Sequence, residues 1–282
     1  MAAVWFITGV SSGLGTEIAL QALSSNQRVI GTVRSRTKAA SQVSTIENKG
    51  GRILELDVTD AAACPAVFKK AESLYGQINV LVNNAGYSLL GAVEDLGDEE
   101  ARTQMETNFF GPHRLIRAAL PGFRARKSGT IVNITSVAGI DGLPSCGLYA
   151  ASKFALEGLS ESLARETAPF NINVLIVEPG AFRTNFLSAI ALPNKPHTED
   201  YKTVKAVFDK FSTMAGQQPG DPAKAAARIF EAVSGQGMAG HLKGKVLRMP
   251  LGDDCVERFE VKIKSMGEDL ENVTEVARST SF

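Results

Sequence analysis

The sequence predicts a doubly wound α/β fold, a parallel sheet of about seven strands between two layers of helices. Three observations lead there. Short apolar runs alternate with longer helical patterns through the first two-thirds of the 282-residue chain, the order that builds parallel sheets from strand–helix–strand units. The runs are continuously apolar rather than alternating, as expected of strands covered on both faces. A glycine-rich turn joins the first run to the first helix.

Taken in order, Val4-Trp5-Phe6-Ile7 is the first strand, and a helix carrying Ile18, Leu20 and Leu23 starts near Gly13. Residues 29–33 and 53–56 are the second and third strands, followed by a helix through Val67, Phe68 and Leu74. Residues 80–82, 131–134, 173–177 and 245–248 complete the sheet. The segment 182–219 breaks the alternation. It mixes Phe186, Leu187, Ile190, Phe208, Phe211 and Met214 with Pro193, Pro196 and charges. It reads as a helical insertion covering the substrate, within one domain spanning 1–282. Residues 251–282 read as a charged helical tail that frays at its last four residues.

Bulk properties remove several function classes. The formal net charge is zero and no dense basic run is present, which argues against a nucleic-acid partner. Cys64, Cys146 and Cys255 lie far apart, so neither a metal cluster nor a disulfide framework is expected, and a reducing compartment fits. His113, His197 and His241 lack metal-ligand spacing and read as surface or packing residues. The N-terminal apolar run is too short for a signal segment, and no stretch reaches membrane length. The expectation is a cytoplasmic protein with no membrane span and no metal.

Thr8-Gly9-Val10-Ser11-Ser12-Gly13-Leu14-Gly15 follows the first strand and opens the first helix. Gly9 can turn the chain off the strand. Gly13 and Gly15 let backbone approach a pyrophosphate and let the helix pack closely, and the helix N-terminus offers free N–H groups to phosphate. A dinucleotide site of the NAD type carries an acid at the end of the second strand, for the ribose 2′-hydroxyl. Here Val33 stands at that point, followed by Arg34 and Ser35, with Arg36 and Lys38 nearby. A guanidinium binds a 2′-phosphate that a carboxylate would repel. Cations at a helix start also run against its dipole unless an anion binds there. The expected cofactor is therefore NADP(H).

Four polar motifs follow four of the strands. They are the glycine loop, Asn83-Asn84-Ala85-Gly86, Thr135-Ser136 and Glu178-Pro179-Gly180. A parallel sheet brings all four to its carboxyl edge, where such folds bind ligands. Tyr149 and Lys153, four apart on one helix, project together. A free phenol has a pKa of about 10 and is a weak base near neutrality. A neighbouring ammonium favours the phenolate, so Tyr149 could exchange a proton with a carbonyl or alcohol oxygen that Ser136 also binds. Taken alone, most Tyr-x-x-x-Lys pairs are surface or packing residues. The weight of this pair comes from lying thirteen residues after Ser136 and downstream of the other motifs.

These motifs together resemble the short-chain dehydrogenase/reductase family, with its Rossmann-type fold, over roughly residues 3–250. Thr-Gly-x-x-x-Gly-x-Gly matches Thr8 to Gly15, and Asn-Asn-Ala-Gly matches Asn83 to Gly86. Ser136 and the Tyr149–Lys153 pair fit the catalytic pattern, and Pro179, Gly180 and Thr184 fit Pro-Gly-x-x-x-Thr. The resemblance implies that Asp57 and Val58 contact the adenine and that Asn84, Ala85 and Gly86 line the adenosine ribose. Lys153 would also bind the nicotinamide ribose. Thr184 and the backbone near Phe182 would hold the carboxamide. Asn108 would hold a water relaying protons through Lys153 to Tyr149. The helix through residues 154–163 looks like that of 17β-hydroxysteroid and retinol dehydrogenases. Family members are usually homodimers or homotetramers through the helices flanking the fifth strand.

The expected activity is hydride transfer between NADPH and a ketone or secondary alcohol. The apolar residues of 182–219 either suggest a fairly lipophilic small molecule for a carbonyl reductase or simply pack on the sheet. Tyr87, Leu89, Gly139, Leu143, Cys146 and Leu148 are further wall candidates, with Cys146 a packing residue rather than a nucleophile. Two alternatives stay open at this level. One is epimerase, dehydratase or cyclase chemistry on the same fold; the other is nucleotide binding without turnover.

Overall fold

A computed structural model describes residues 2–195 and 198–282. The strands are β1 (Val4–Thr8), β2 (Arg28–Val33), β3 (Arg52–Glu55), β4 (Val80–Asn83), β5 (Gly129–Ile134), β6 (Ile172–Pro179) and β7 (Arg248–Leu251). They form one wholly parallel sheet in the order β3-β2-β1-β4-β5-β6-β7. The chain runs outward from β1 to β3, then crosses back to set β4 on the other side of β1. That reversal makes the crevice between the ends of β1 and β4 the ligand-binding point of such sheets.

The helices are α1 (Gly13–Ser24), α2 (Ala40–Asn48), α3 (Ala63–Tyr75), α4 (Asp98–Met105), α5 (Gly111–Arg126), α6 (Gly147–Thr167), α7 (Lys202–Met214), α8 (Pro222–Ser234) and α9 (Asp253–Arg278). Alternate strand side chains feed two cores. Trp5, Ile7, Val82 and Val177 join residues of α1, α2 and α8 on one face. Val4, Phe6, Leu81 and Ile131 join residues of α3, α5 and α6 on the other. Trp5 stacks on Phe230 at 5.5 Å, and Phe6 meets Phe68 edge-on at 5.3 Å. Both sheet faces are thus dry, which is why the strand sequences are apolar throughout.

Three details depart from the sequence expectation. The seventh strand begins at Arg248, where the expected strand ended. Pro250 discourages a strand reading, yet β7 is an edge strand, where a missing N–H costs little. Within 182–219 the regular structure is α7 and one short turn at Leu187–Ala189; the rest is irregular chain, tied back by bridges Leu89↔Ala191 and Phe182↔Gly220. Apart from the family resemblance, Asn108 reads as an ordinary mid-helix polar residue; its helix is continuous in direction but contains a π-turn, Glu106–Phe110, closed by the Gly111 N–H to the Glu106 carbonyl. Pro112 has no N–H, so the Asn108 carbonyl loses its α-helical donor. The tail is helical to Arg278 and then turns. Pro196 and His197 lie outside the described residues. Among the described residues no helix is long and apolar enough to cross a membrane.

Candidate active site

The glycine loop turns off β1 with Gly9 at φ +70° and Gly13 at φ +58°, both left-handed. A side chain on Gly9 would meet the Ala85 backbone at 2.9 Å, so the loop lies directly on the Asn-Asn-Ala-Gly segment. Gly15 faces inward: a Cβ there would overlap Asn84 Nδ2 and the Gly9 carbonyl. Its role is close packing rather than an opening to ligand. Asn84 bolts the segments together, donating from Nδ2 to the Thr8 and Gly9 carbonyls at 2.9 and 3.0 Å. The Thr8 hydroxyl accepts from the Asn84 and Ala85 N–H groups, both at 3.0 Å. Ser12 stands at the N-cap of α1 without bonding the first turn, and that turn carries no acid. Its N–H groups are open to an anion, with Ser11 and Ser12 exposed beside them.

Val33 is buried at the end of β2, and Arg34 is exposed and makes no ion pair among the described residues. Arg36 is committed elsewhere. Its guanidinium binds the Ile53 carbonyl at 2.9 Å and the Glu47 carboxylate at 2.9 and 3.0 Å, holding α2 against β3. Ser35 shares a hydrogen bond with Thr37 at 2.9 Å. Asp57 accepts from the Thr59 N–H at 3.0 Å and hydroxyl at 2.8 Å. Val58 is buried against Gly111. These residues line up along the edge from β2 and β3 toward β1.

Tyr149 and Lys153 start α6, and both are buried, as is Ser136 at the end of β5. Burial pushes the Tyr149 phenol up to about 12, against a hydrogen bond from Ser136 that favours the phenolate. Burial pulls the Lys153 ammonium down to about 8, and the Glu157 carboxylate works the other way. The ammonium lies 5.8 Å from the centre of the tyrosine ring and donates to the Ile134 carbonyl at 2.9 Å.

Asn108 is tied by its side chain. Its Nδ2 donates to the Tyr87 carbonyl and the Ser152 hydroxyl, both at 3.0 Å, and its Oδ1 accepts from the Tyr87 N–H at 3.2 Å. A Cβ at Gly86 would lie 3.1 Å from Asn108 Oδ1 and 3.6 Å from Lys153 Nζ, so the three residues meet. On the other side, Gly13 would meet Thr184 at 3.3 Å. Thr184 follows Pro179 and Gly180, whose turn is held by Gly180 N–H to the Leu251 carbonyl at 2.8 Å and Ala181 N–H to Asp254 at 2.8 Å. Phe182 bridges Gly220. The Phe186 ring sits 5.8 Å from that of Tyr149, at the mouth of the site. The sequence motifs therefore converge on one edge.

Several supporting residues were not legible as such. Gln104 accepts from the Leu89 N–H at 2.8 Å and donates to the Tyr87 carbonyl at 2.9 Å, fixing the loop over the site. Behind Lys153, the Arg248 guanidinium meets three carboxylates: Glu157 and Glu161 at 2.8 Å and Glu178 at 3.3 Å. One cation cannot neutralise three anions in a buried place. Burial and the neighbouring Glu157 push Glu178 up to about 8, against Arg248. Cys146 is buried and its thiol is pushed up by burial, which suits packing. His113 stacks on Phe109 at 6.2 Å, and His241 bonds the Met238 carbonyl at 2.9 Å.

Residues 3–194 match the family model for short chain dehydrogenases. Oxidoreductase claN of Passalora fulva is 47% identical over 219 residues, covering 77% of this chain and 100% of that one. Human retinol dehydrogenase 8 is 35% identical, covering 79% of this chain and 76% of its own. A short-chain dehydrogenase structure from Streptomyces avermitilis superposes with a TM-score of 0.89 at 40% identity over the whole of both chains. The NADP-bound structure of ElxO gives 0.70 at 27% identity, over 89% of this chain and 98% of that one. A seven-stranded Rossmann-type sheet, the motifs gathered on its carboxyl edge and these likenesses agree: the chain is an oxidoreductase of the short-chain dehydrogenase family.

Proposed function

We propose that the protein is an NADP(H)-dependent carbonyl reductase or alcohol dehydrogenase working in the cytoplasm on a fairly lipophilic ketone or secondary alcohol. The observation that carries the reading is the convergence of Tyr149, Ser136 and Lys153 beside the glycine loop. Arg34 carries the cofactor preference, being an exposed guanidinium without an ion pair among the described residues, next to the buried Val33. A 2′-phosphate would give it a partner. The NADP bound to ElxO supports the same choice. The three cysteines are free and buried, which fits a reducing compartment.

The residues fit the dinucleotide. The uncapped first turn of α1 with Ser11, Ser12, Gly13 and Leu14 suits the pyrophosphate. Gly9, Gly15, Asn84 and Ala85 shape the cradle, Gly86 borders it, and Asp57 and Val58 suit the adenine. Lys153 would bind the nicotinamide ribose; Pro179, Gly180, Phe182 and Thr184 would hold the carboxamide end. When bound, the nicotinamide supplies or accepts the hydride. Tyr149, neutral at pH 7, donates its proton to the carbonyl oxygen as that oxygen gains charge. Ser136 hydrogen-bonds the same oxygen and orients it. Lys153 holds a positive charge under the ring, stabilising the phenolate left behind. The Asn108 carbonyl, which has lost its α-helical donor at Pro112, suits a water that returns the proton through Lys153 better than the engaged side-chain amide does. Phe186 and the 182–219 segment supply an apolar wall, in keeping with the relative that acts on retinol.

The test is NADPH and NADH oxidation by purified protein with a panel of steroids, quinones, aromatic ketones and β-keto esters. Turnover with NADPH on at least one lipophilic carbonyl is expected. Tight NADPH binding with no turnover on any carbonyl would favour a nucleotide-binding protein instead.

A further inference from the structure

α9 runs for 26 residues, about 39 Å at the α-helical rise. Its opening turns pack on the body: Cys255 is buried, and Arg258 grips Asp141 at 2.6 Å. From Ile263 onward every residue but Thr274 is exposed. Yet the overhang is amphipathic. Phe259, Ile263, Met266, Leu270, Val273 and Ala277 alternate at spacings of four and three, the seam of a two-stranded coiled coil. Ile263 is 67% exposed and Leu270 64%, a stripe too long and regular to be scattered surface residues.

The flanks of the stripe indicate its occupant. Lys262 and Asp269, seven residues apart, lie on the same flank, and neither makes an ion pair in the chain among the described residues. If a second copy runs antiparallel, with Ile263 opposite Met266 and Phe259 opposite Leu270, Lys262 of each helix falls beside Asp269 of the other. The twofold relation produces that pair twice. Gly267 lies on the opposite flank with nothing within 4 Å of a built Cβ, leaving room for close approach of the second helix. An anionic lipid surface suits the stripe less well, because residues 260–278 carry five acids against three bases.

We propose that the exposed face of α9 is an interface with a second copy of this chain, packed antiparallel about a point between Ile263 and Met266, so that the overhang of each copy lies along the outer face of the other's opening turns at Phe259. This surface is separate from α5 and α6, and it needs no residue of the active site. The measurement is light-scattering mass at tens of micromolar protein, with circular dichroism to establish folding. Lys262→Asp and Asp269→Lys each set like charges together twice and should weaken association by roughly tenfold, halving the mass on dilution. Mixing the two variants restores both attractive pairs, so the equimolar mixture should regain the wild-type mass. Leu270→Glu should halve the mass beyond rescue, while all three keep wild-type helix content and NADPH oxidation. A wild-type mass that none of these variants changes, or a mixture that stays dissociated, would overturn the proposal. So would a wild-type monomer whose α9 binds phosphatidylcholine vesicles, which would assign the stripe to lipid.

Discussion

The Lys153 ammonium lies 5.8 Å from the centre of the Tyr149 ring while its hydrogen bond goes to the Ile134 carbonyl at 2.9 Å. The charge is thus fixed to the end of β5, under the phenol rather than against its oxygen. Burial sets the free states of the pair apart, tyrosine at about 12 and lysine at about 8. At neutral pH the site holds a neutral phenol and a charged ammonium, the arrangement that donates a proton.

A pH dependence follows. Lys153 carries its charge below about pH 8 and loses it above. The rate of carbonyl reduction should be level through neutrality and fall as pH rises through about 8. The profile of kcat/KM checks this, and a level profile well into the alkaline range would remove Lys153 from proton handling.

Cofactor preference should turn on the end of β2. Arg34→Asp removes the guanidinium and sets a carboxylate toward a 2′-phosphate, so NADPH affinity should drop by roughly ten- to a hundredfold, or about 1.4–3 kcal/mol. NADH affinity should change little or improve. Fluorescence titration of both cofactors reads the switch. Arg36→Ala should instead cost stability, since that side chain holds α2 to β3.

Gly15 and Gly158 make a matched pair. An alanine at Gly15 would overlap Asn84 and the Gly9 carbonyl, costing about 1–3 kcal/mol from overpacking and weakening NADPH binding. Gly158 sits in α6 with open space at its Cβ position. Alanine there should stabilise by about 0.5–1 kcal/mol. Thermal unfolding of the two variants should shift in opposite directions.

The carboxylates around Arg248 give stability its own pH slope. Glu178 is ordinary when unfolded and holds its proton to about pH 8 when folded. The folded state therefore binds more protons between those limits, so its stability falls as pH rises from the usual carboxylate range toward 8. Glu178→Gln removes that titration and should flatten the decline in denaturant midpoints measured from pH 5 to 9.

Much of this architecture was legible because each signal was local. Glycines after β1, polar residues after β4, β5 and β6, and apolar strands covered on both faces follow from short stretches of chain. What escaped depended on distant partners or on position in the sheet. Pro250 obscured β7 until its edge location was known. Arg34 and Arg36 look alike in sequence, and only Glu47 and the Ile53 carbonyl distinguish them. Asn108 read as a mid-helix polar residue; Pro112, four residues on, was the available sign that its carbonyl loses a helical donor. Arg248 is 70 residues or more from the acids it meets. The α9 stripe lies in a tail whose composition reads as a charged helix, and only the packing of Cys255 and Arg258 on the body shows which part of it overhangs.

The Tyr149 hydroxyl is the atom on which the functional reading turns. Tyr149→Phe removes it and keeps the ring that packs against Phe186. NADPH oxidation should fall by about a thousandfold or more with any carbonyl the native protein reduces, while NADPH affinity stays within about twofold because the cradle is untouched. Turnover in Tyr149→Phe comparable to the native rate would contradict proton donation by Tyr149.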